Sequence, residues 1–266
     1  MRTNIMIKTY SGSSPSYPDI NLCEKLSDMQ KEVWGLCDRD ALPPWKLFVM
    51  PRTGSHLIVA FDGDRPVGHG VFTHAVESNS EATYLYLDML GVLKEYRSQD
   101  LGRRILNQAQ LVAQEHGYKF IKWTYDPLEG VNASLYIRRM GAVAVEYHPN
   151  FFGNLSGDRH QGSPADRFLA CLLPDGKPAD GAEPQVTISM DAYDTYPSVI
   201  LDVPARVAVE IPYDFQEILK SHPDRAQSVR LETSRIFQNL LERGYLIDGF
   251  DRHDKRNFYV ASHRPK

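Results

Sequence analysis

Apolar positions between Pro18 and Cys37 recur at helical spacing (Ile20, Leu22, Leu26, Met29, Val33, Leu36), which predicts a helix. Residues 38–55 hold Pro43, Pro44 and Pro51 and read as a loop. A short strand is expected at Ile5–Thr9. His56–Asp62 (HLIVAFD) and Arg65–Ala75 read as two strands joined by an Asp-Gly turn at Asp62-Gly63-Asp64. Thr83–Val92 (TYLYLDMLGV) is a third, and a period of two places Tyr86, Asp88, Leu90 and Val92 on one face. Leu101–His116 is helical, with Leu101, Ile105, Leu106 and Ala109 as its inward stripe and Gly117 as its stop. Lys119–Tyr125, Ala142–Tyr147 and Arg167–Leu173 read as strands, and Val131–Met140 as a short helix ended by Gly141. Strands that mostly return as hairpins, with helices between them, predict an α/β (α+β) fold.

The pattern then breaks. Pro174–Pro184 (PDGKPADGAEP) reads as an exposed linker. Beyond it come a strand (Ala205–Ile211), a long helix (His222–Arg243) closed by Gly244, and a hairpin (Tyr245–Phe250 with Asn257–Ala261). The expected organisation is a main domain over 1–175, a linker over 176–200 and a smaller α/β extension over 201–266. No segment repeats at a fixed period.

Composition narrows the function. The 266 residues carry 30 Lys and Arg against 34 Asp and Glu, a net charge of −4. That argues against a nucleic-acid partner, which needs a basic surplus on one face. No stretch approaches the roughly 18 apolar residues of a membrane span, and the start lacks a secretory apolar run, so no membrane partner and a cytoplasmic location are expected. Three cysteines far apart (Cys23, Cys37, Cys171) suit neither a disulfide framework nor a zinc site, and read as small buried hydrophobes. The nine histidines form no metal pattern, and His69 and His74 fall on opposite sides of their strand, so no metal is expected. Hydrolase and NTPase glycine motifs are missing as well.

The segment with the most chemistry is Leu90–Gly102, LGVLKEYRSQDLG: a strand, a short loop and a helix N-terminus. Backbone N–H groups and the helix dipole at such an end make a ready anion site. The segment resembles motif A of the GNAT superfamily of acyl-CoA N-acyltransferases, whose pattern is Arg or Gln, two residues, Gly, one residue, then Gly or Ala. Arg97 and Gly102 match its first and last positions. Downstream, NASLYIRRMGA resembles the family's second signature, with Ala133 and Gly141 in place. The pieces LDMLGVLKEYR, WTYDPLEGVNASLYIRRMGAVAVEYHPNFFG and PADRF, and the run from IPYDFQ to ERGYLIDGF, resemble a little-characterised full-length subfamily of predicted GNAT proteins.

The resemblance implies a mixed, mostly antiparallel central sheet flanked by helices, with acetyl-CoA or another acyl-CoA as co-substrate. It implies a cofactor site of Leu90, Gly91, Val92, Arg97, Ser98, Gln99, Asp100, Leu101, Gly102, Arg103, Asn132 and Tyr136. The strand amides of Leu90–Val92 would polarise the thioester carbonyl. By the same analogy Asp126 and Glu129, in YDPLEG, lie near the reacting thioester.

Three positions depart from the pattern. Asp100 stands where motif A has its middle glycine; its carboxylate would repel a pyrophosphate unless it turns outward, and its Cβ opposes a left-handed backbone. It could instead cap the following helix. The family's thiolate-protonating tyrosine falls on Ile137, with Tyr136 one residue earlier. The family's glutamate base falls on Tyr86, with Asp88 two residues on. Candidate catalytic residues are therefore Asp88, Asp126, Glu129 and Tyr136. The expected reaction is direct transfer of an acetyl or other small acyl group to the primary amine of a small molecule, such as an amino acid or metabolite. Loss of catalysis with retention of binding or regulation, and other CoA-thioester chemistry such as decarboxylation, are the rival expectations. The extension could cover the acceptor pocket or form a homodimer surface.

Overall fold

The computed structural model describes residues 5–12, 17–153, 164–176, 183–195 and 204–263. It contains two compact units. The first holds Met1–Trp123 and Leu173–Asp175, and the second takes up the chain from Thr124. The division thus falls inside a strand rather than near residue 175.

In the first unit, β1 (Ile5–Tyr10), β2 (His56–Asp62), β3 (Arg65–Val76) and β4 (Thr83–Val92) form an antiparallel meander. β5 (Phe120–Tyr125), which begins here, pairs parallel to β4. Helix α1 (Ile20–Trp34) starts where Asp19 accepts the Leu22 N–H at 2.7 Å and ends where Gly35 turns left-handed at φ 68°. Both ends of the expected helix are trimmed by these caps. α1 packs on β3 and β4, beside the short α2 (Pro44–Val49), and α3 (Leu101–Glu115) packs on β2, β3 and β4. α3 buries Leu101, Ile105, Leu106, Ala109, Val112 and Ala113, the expected stripe and its continuation. Each large side chain in such a stripe contributes about 1.5–3 kcal/mol of burial.

The two helices take opposite faces of the sheet. Gly91 of β4 meets Trp34 of α1, and a Cβ added there would lie 2.7 Å from the indole. Val92 and its partner Gly68 lie beside Ile105 of α3.

β4 does not keep its period of two. Val71 pairs with Met89 but Phe72 with Leu87, so Asp88 is an extra residue, a β-bulge. The expectation that Tyr86, Asp88, Leu90 and Val92 share one face is corrected by this bulge. Past it the alternation slips by one, and Leu90 and Val92 turn to the α3 face while Tyr86 and Gly91 share the α1 face.

In the second unit, α4 (Gly130–Ala133) runs directly into a π-helix, Ser134–Arg139. β6 (Val143–His148), β7 (Arg167–Leu172), β8 (Val186–Ile188), β9 (Arg206–Ile211), β10 (Tyr245–His253) and β11 (Arg256–His263) are ordered β7-β6-β10-β11-β9-β8. Only β8 and β9 run parallel there. Helices α5 (Phe215–Ser221) and α6 (Pro223–Glu242) join β9 to β10. Phe168, Phe237 and Tyr259 form the aromatic centre, with ring centroids 4.9–5.5 Å apart.

The chain runs twice through one sequence of elements. β4 and β5 are parallel, then come a helix and the hairpin β6–β7; β8 and β9 are parallel, then come two helices and the hairpin β10–β11. The two hairpins meet back to back through β6 and β10. The expected linker 176–200 is therefore partly structured, since it contains β8 and a 3₁₀ turn at Met190–Thr195. Its residues 177–182 and 196–200, and the start of the expected extension at 201–203, lie outside the described residues. Cys23 is buried, but Cys37 is exposed beyond the end of α1, which corrects the expectation of three buried thiols. Among the described residues no helix is long and apolar enough to cross a membrane.

Two buried histidines set the acid limit of stability. Burial pushes His56 and His69 down to about 4, with His116 and His74 adding to the effect at His56. Their unfolded values lie near 6.5, so the unfolded chain takes up protons first as pH falls. Their contribution is complete above about pH 6.5 and is lost on the way to pH 4, about 3 kcal/mol for each ring. Urea unfolding between pH 7 and 5 should show this loss in the native chain and a smaller one in His69→Leu. Equal pH dependence of the two would remove His69 from the account.

Candidate active site

The bulge at Asp88 organises the candidate residues of the first unit. Register between β4 and β5 runs from Tyr84↔Phe120 to Tyr86↔Lys122, and Asp88 bulges two residues beyond. The Asp88 Oδ2 accepts the Thr73 hydroxyl at 2.5 Å. The carboxylate reaches solvent, yet flanking protein raises its pKa above the usual carboxylate value. Crowding is the largest cause, opposed by the Thr73 hydrogen bond and by the charge of Lys46 on α2. A solvent-accessible carboxyl with a raised pKa is better suited to taking a proton than an ordinary carboxylate. Thr73 escapes a reading of single residues, because only the β3–β4 register brings it to Asp88.

From Gly91 and Val92 the chain turns through a 3₁₀ turn (Lys94–Tyr96) into the exposed Arg97, Ser98 and Gln99. The Arg97 Nε donates to the Val92 carbonyl at 3.2 Å and so folds back over the loop. Ser98 and Asp100 both take left-handed backbone, at φ 67° and 65°. The position that favours glycine is therefore kept in shape by an aspartate, at a cost of about 1–2 kcal/mol.

Asp100 stands at the N-cap position of α3, but its side chain caps no amide. The expectation that its carboxylate serves as cap is corrected. Asp100 instead accepts the Arg103 guanidinium at 2.6 Å, which offsets the charge that would repel a phosphate. The α3 dipole, the uncapped first-turn amides at Leu101–Arg103 and the loop basic residue Arg97 fit the pyrophosphate of a CoA ester.

The second unit holds the other candidates. Asp126 is 8% exposed and bound by Arg230 through both oxygens, Nη1 to Oδ1 at 2.6 Å and Nη2 to Oδ2 at 2.8 Å. Arg167 lies 4.0 Å away. Burial opposes the charge, but the two guanidiniums and the Leu128 N–H hold Asp126 below the usual carboxylate range. Asp126 is thus corrected from general base to fixed anion, because an ionised, doubly bonded carboxylate has no affinity to spare for a proton. Glu129 is half-buried, precedes α4 and accepts Gln216 Nε2 at 2.6 Å. Asn132 is half-buried on α4.

Tyr136 lies in the π-helix, buried, with its ring 5.3 Å from that of Tyr125. Burial raises its pKa, so its hydroxyl stays protonated at neutral pH. Hydrogen bonds in the π-helix span five residues, as in Met140 N–H to Leu135 carbonyl, instead of four. The widening has closed by Gly141, whose N–H bonds the Ile137 carbonyl four residues back. Arg230 and Gln216 were invisible to sequence spacing, lying more than eighty residues from their partners.

Residues 20–142 match the model of the acetyltransferase (GNAT) family. No curated protein matches the chain. Among solved structures it is similar to a GNAT-family acetyltransferase from Streptococcus pneumoniae, at 15% identity and a TM-score of 0.50 over 64% of this chain and 99% of that one. It is also similar to Arabidopsis thaliana NAA60 in complex with acetyl-CoA, at 14% identity and a TM-score of 0.51 over 65% of this chain and 100% of that one. Both are likenesses of fold.

Replacing Asp100 by glycine removes a carboxylate and relieves left-handed strain at once. Calorimetry should find acetyl-CoA bound about three- to tenfold more tightly by Asp100→Gly, with the gain shrinking in high salt. An unchanged affinity at both salt levels would mean the carboxylate does not face the phosphates.

Proposed function

We propose that the domain whose residues 20–142 match the acetyltransferase (GNAT) family model takes an acyl group from coenzyme A and passes it to the primary amine of a small molecule, such as an amino acid. The observation that carries this reading is Asp88, a raised-pKa carboxylate held on a strand bulge and open to solvent. An acyl-CoA supplies a carboxyl carbon activated as a thioester. Asp88 takes the proton of the acceptor's ammonium and leaves the nitrogen lone pair free to form the C–N bond. The amides of Leu90–Val92 hold the charge that gathers on the carbonyl oxygen. Among the residues of the second unit, Tyr136, kept protonated by burial, is the candidate donor of the proton that the sulfur takes as the C–S bond breaks. Arg97 and the amides at the start of α3 hold the phosphates.

Of the two departures that favour a fold kept only for binding, the one at Asp100 is compensated, since Asp100 keeps the glycine-like backbone and pairs with Arg103. At the other, what supports the reading is that Tyr136 stays protonated, one residue before the position of the family pattern.

The direct test incubates acetyl-CoA or succinyl-CoA with a panel of amino acids and small amines and follows free thiol. Amine-dependent thiol release is expected, with an acylated amine by mass spectrometry. Binding of acetyl-CoA with no release by any amine would overturn the reading.

The pH profile tests the base. The rate should fall as pH drops through the raised pKa of Asp88, because only the carboxylate accepts a proton. Asp88→Asn should lower kcat by about 10²-fold and abolish that acid limb. An unchanged profile would assign the proton to another group.

A further inference from the structure

Three side chains of the C-terminal run converge on one short segment of the second unit. Arg230 of α6, 2% exposed, grips Asp126 in a two-pronged pair. Gln216 of α5 donates to Glu129 at 2.6 Å. Asn257 of β11 lies against Gly130 so closely that a Cβ there would come within 2.4 Å of its amide nitrogen. Asn257 is fixed in turn by donating to the carbonyls of Pro212 at 3.0 Å and Tyr213 at 3.3 Å.

What they hold is the turn that launches the helix of Tyr136. Asp126 accepts the Leu128 N–H at 2.8 Å through its side chain and the Glu129 N–H at 3.1 Å through its carbonyl. The Glu129 carbonyl accepts the Ala133 N–H at 3.1 Å, the first bond of α4. α4 then continues unbroken into the π-helix.

Stability alone gives a weak reason for this arrangement. A buried ion pair often does no better than apolar residues of the same volume, because desolvation consumes the Coulomb gain. A fork-to-fork pair does fix direction, which a single ammonium cannot do. The C-terminal run also repeats the order of parallel pair, helix and hairpin found before it and docks its hairpin on β6 through β10. It is built into the second unit's sheet and not hung beside it.

We infer that Arg230 is a positioning residue for acyl transfer: with Gln216 and Asn257 it fixes the Asp126–Gly130 turn, and through that turn the π-helix that aims Tyr136. The C-terminal run is then part of the catalytic apparatus. The inference rests on the assignment of Tyr136 as acid, and its test separates the two.

Arg230→Lys keeps the charge and loses the fork. With acetyl-CoA and the fastest amine of the panel, it should lower kcat at least tenfold, leave the KM for acetyl-CoA within twofold, and have no further effect in a Tyr136→Phe background. Gln216→Ala, which removes no buried charge, should act in the same direction by a smaller factor and covers the case of a misfolded lysine variant. Hydrogen exchange reads the positioning without any acceptor: amides of 126–140 should exchange faster in both variants while those of α3 keep their rates. Losses from Arg230→Lys and Tyr136→Phe that multiply, or unchanged exchange over 126–140, would overturn the inference. A Tyr136→Phe variant with full kcat and an Arg230→Lys variant with faster exchange would instead overturn the assignment of the acid and leave Arg230 as the anchor of the turn.

Discussion

A β-strand must send successive side chains to opposite faces, and the extra residue at Asp88 breaks that rule at the point where β4 leaves its register with β5. The placement of the first unit's candidate residues follows from the break. Without the bulge, β4 beyond it would be reversed, turning Gly91 toward α3 and Val92 toward Trp34, where no side chain fits beyond hydrogen. With it, the carboxylate of Asp88 joins Thr73 on the α1 face, and Val92 joins Ile105 on the other. The strand then runs straight into the loop and the α3 N-terminus, so the proposed base, amides and anion site lie along one continuous stretch of backbone.

Two strained pieces carry candidate residues. Asp100 holds left-handed backbone, and Arg103 one turn on takes up its carboxylate. Tyr136 lies where the helix widens to π bonding. Neither is free: left-handed aspartate and π-helical bonding are both less favourable than what they replace. Surrounding structure must over-determine such strained pieces, and strain of this kind gathers at functional sites.

The second unit shows how a buried charge can be informative without being reactive. Asp126 and Asp88 are both carboxylates near strand ends, yet their surroundings push them in opposite directions. Two arginines and a backbone amide keep Asp126 ionised, while crowding by protein at Asp88 outweighs the Thr73 hydroxyl, backbone hydrogen bonds and the charge of Lys46. The first is therefore a fastener, and only the second suits the proposed role of proton acceptor.

Most elements were legible in the sequence, because burial of one face imposes a period. The strands at His56–Asp62 and Thr83–Val92 and the α3 stripe from Leu101 to Ala109 emerge where expected. The loop before α3 could be nominated from sequence as well, since backbone donors at a helix start depend only on local order. What escaped were facts about partners distant in the chain. A bulge is a property of two strands together, so β4 alone reads as regular. Whether a carboxylate is a base depends on whether an arginine such as Arg230, 104 residues away, reaches it. The repeat of parallel pair, helix and hairpin leaves no periodic trace, because pairing order is set by backbone hydrogen bonds that many side-chain patterns satisfy. Sequence alone determined the elements through local periodicity and nominated the loop before α3 through local donors. Tertiary structure decided which acid can act and what the C-terminal run holds, because pKa and position depend on neighbours that only folding assembles.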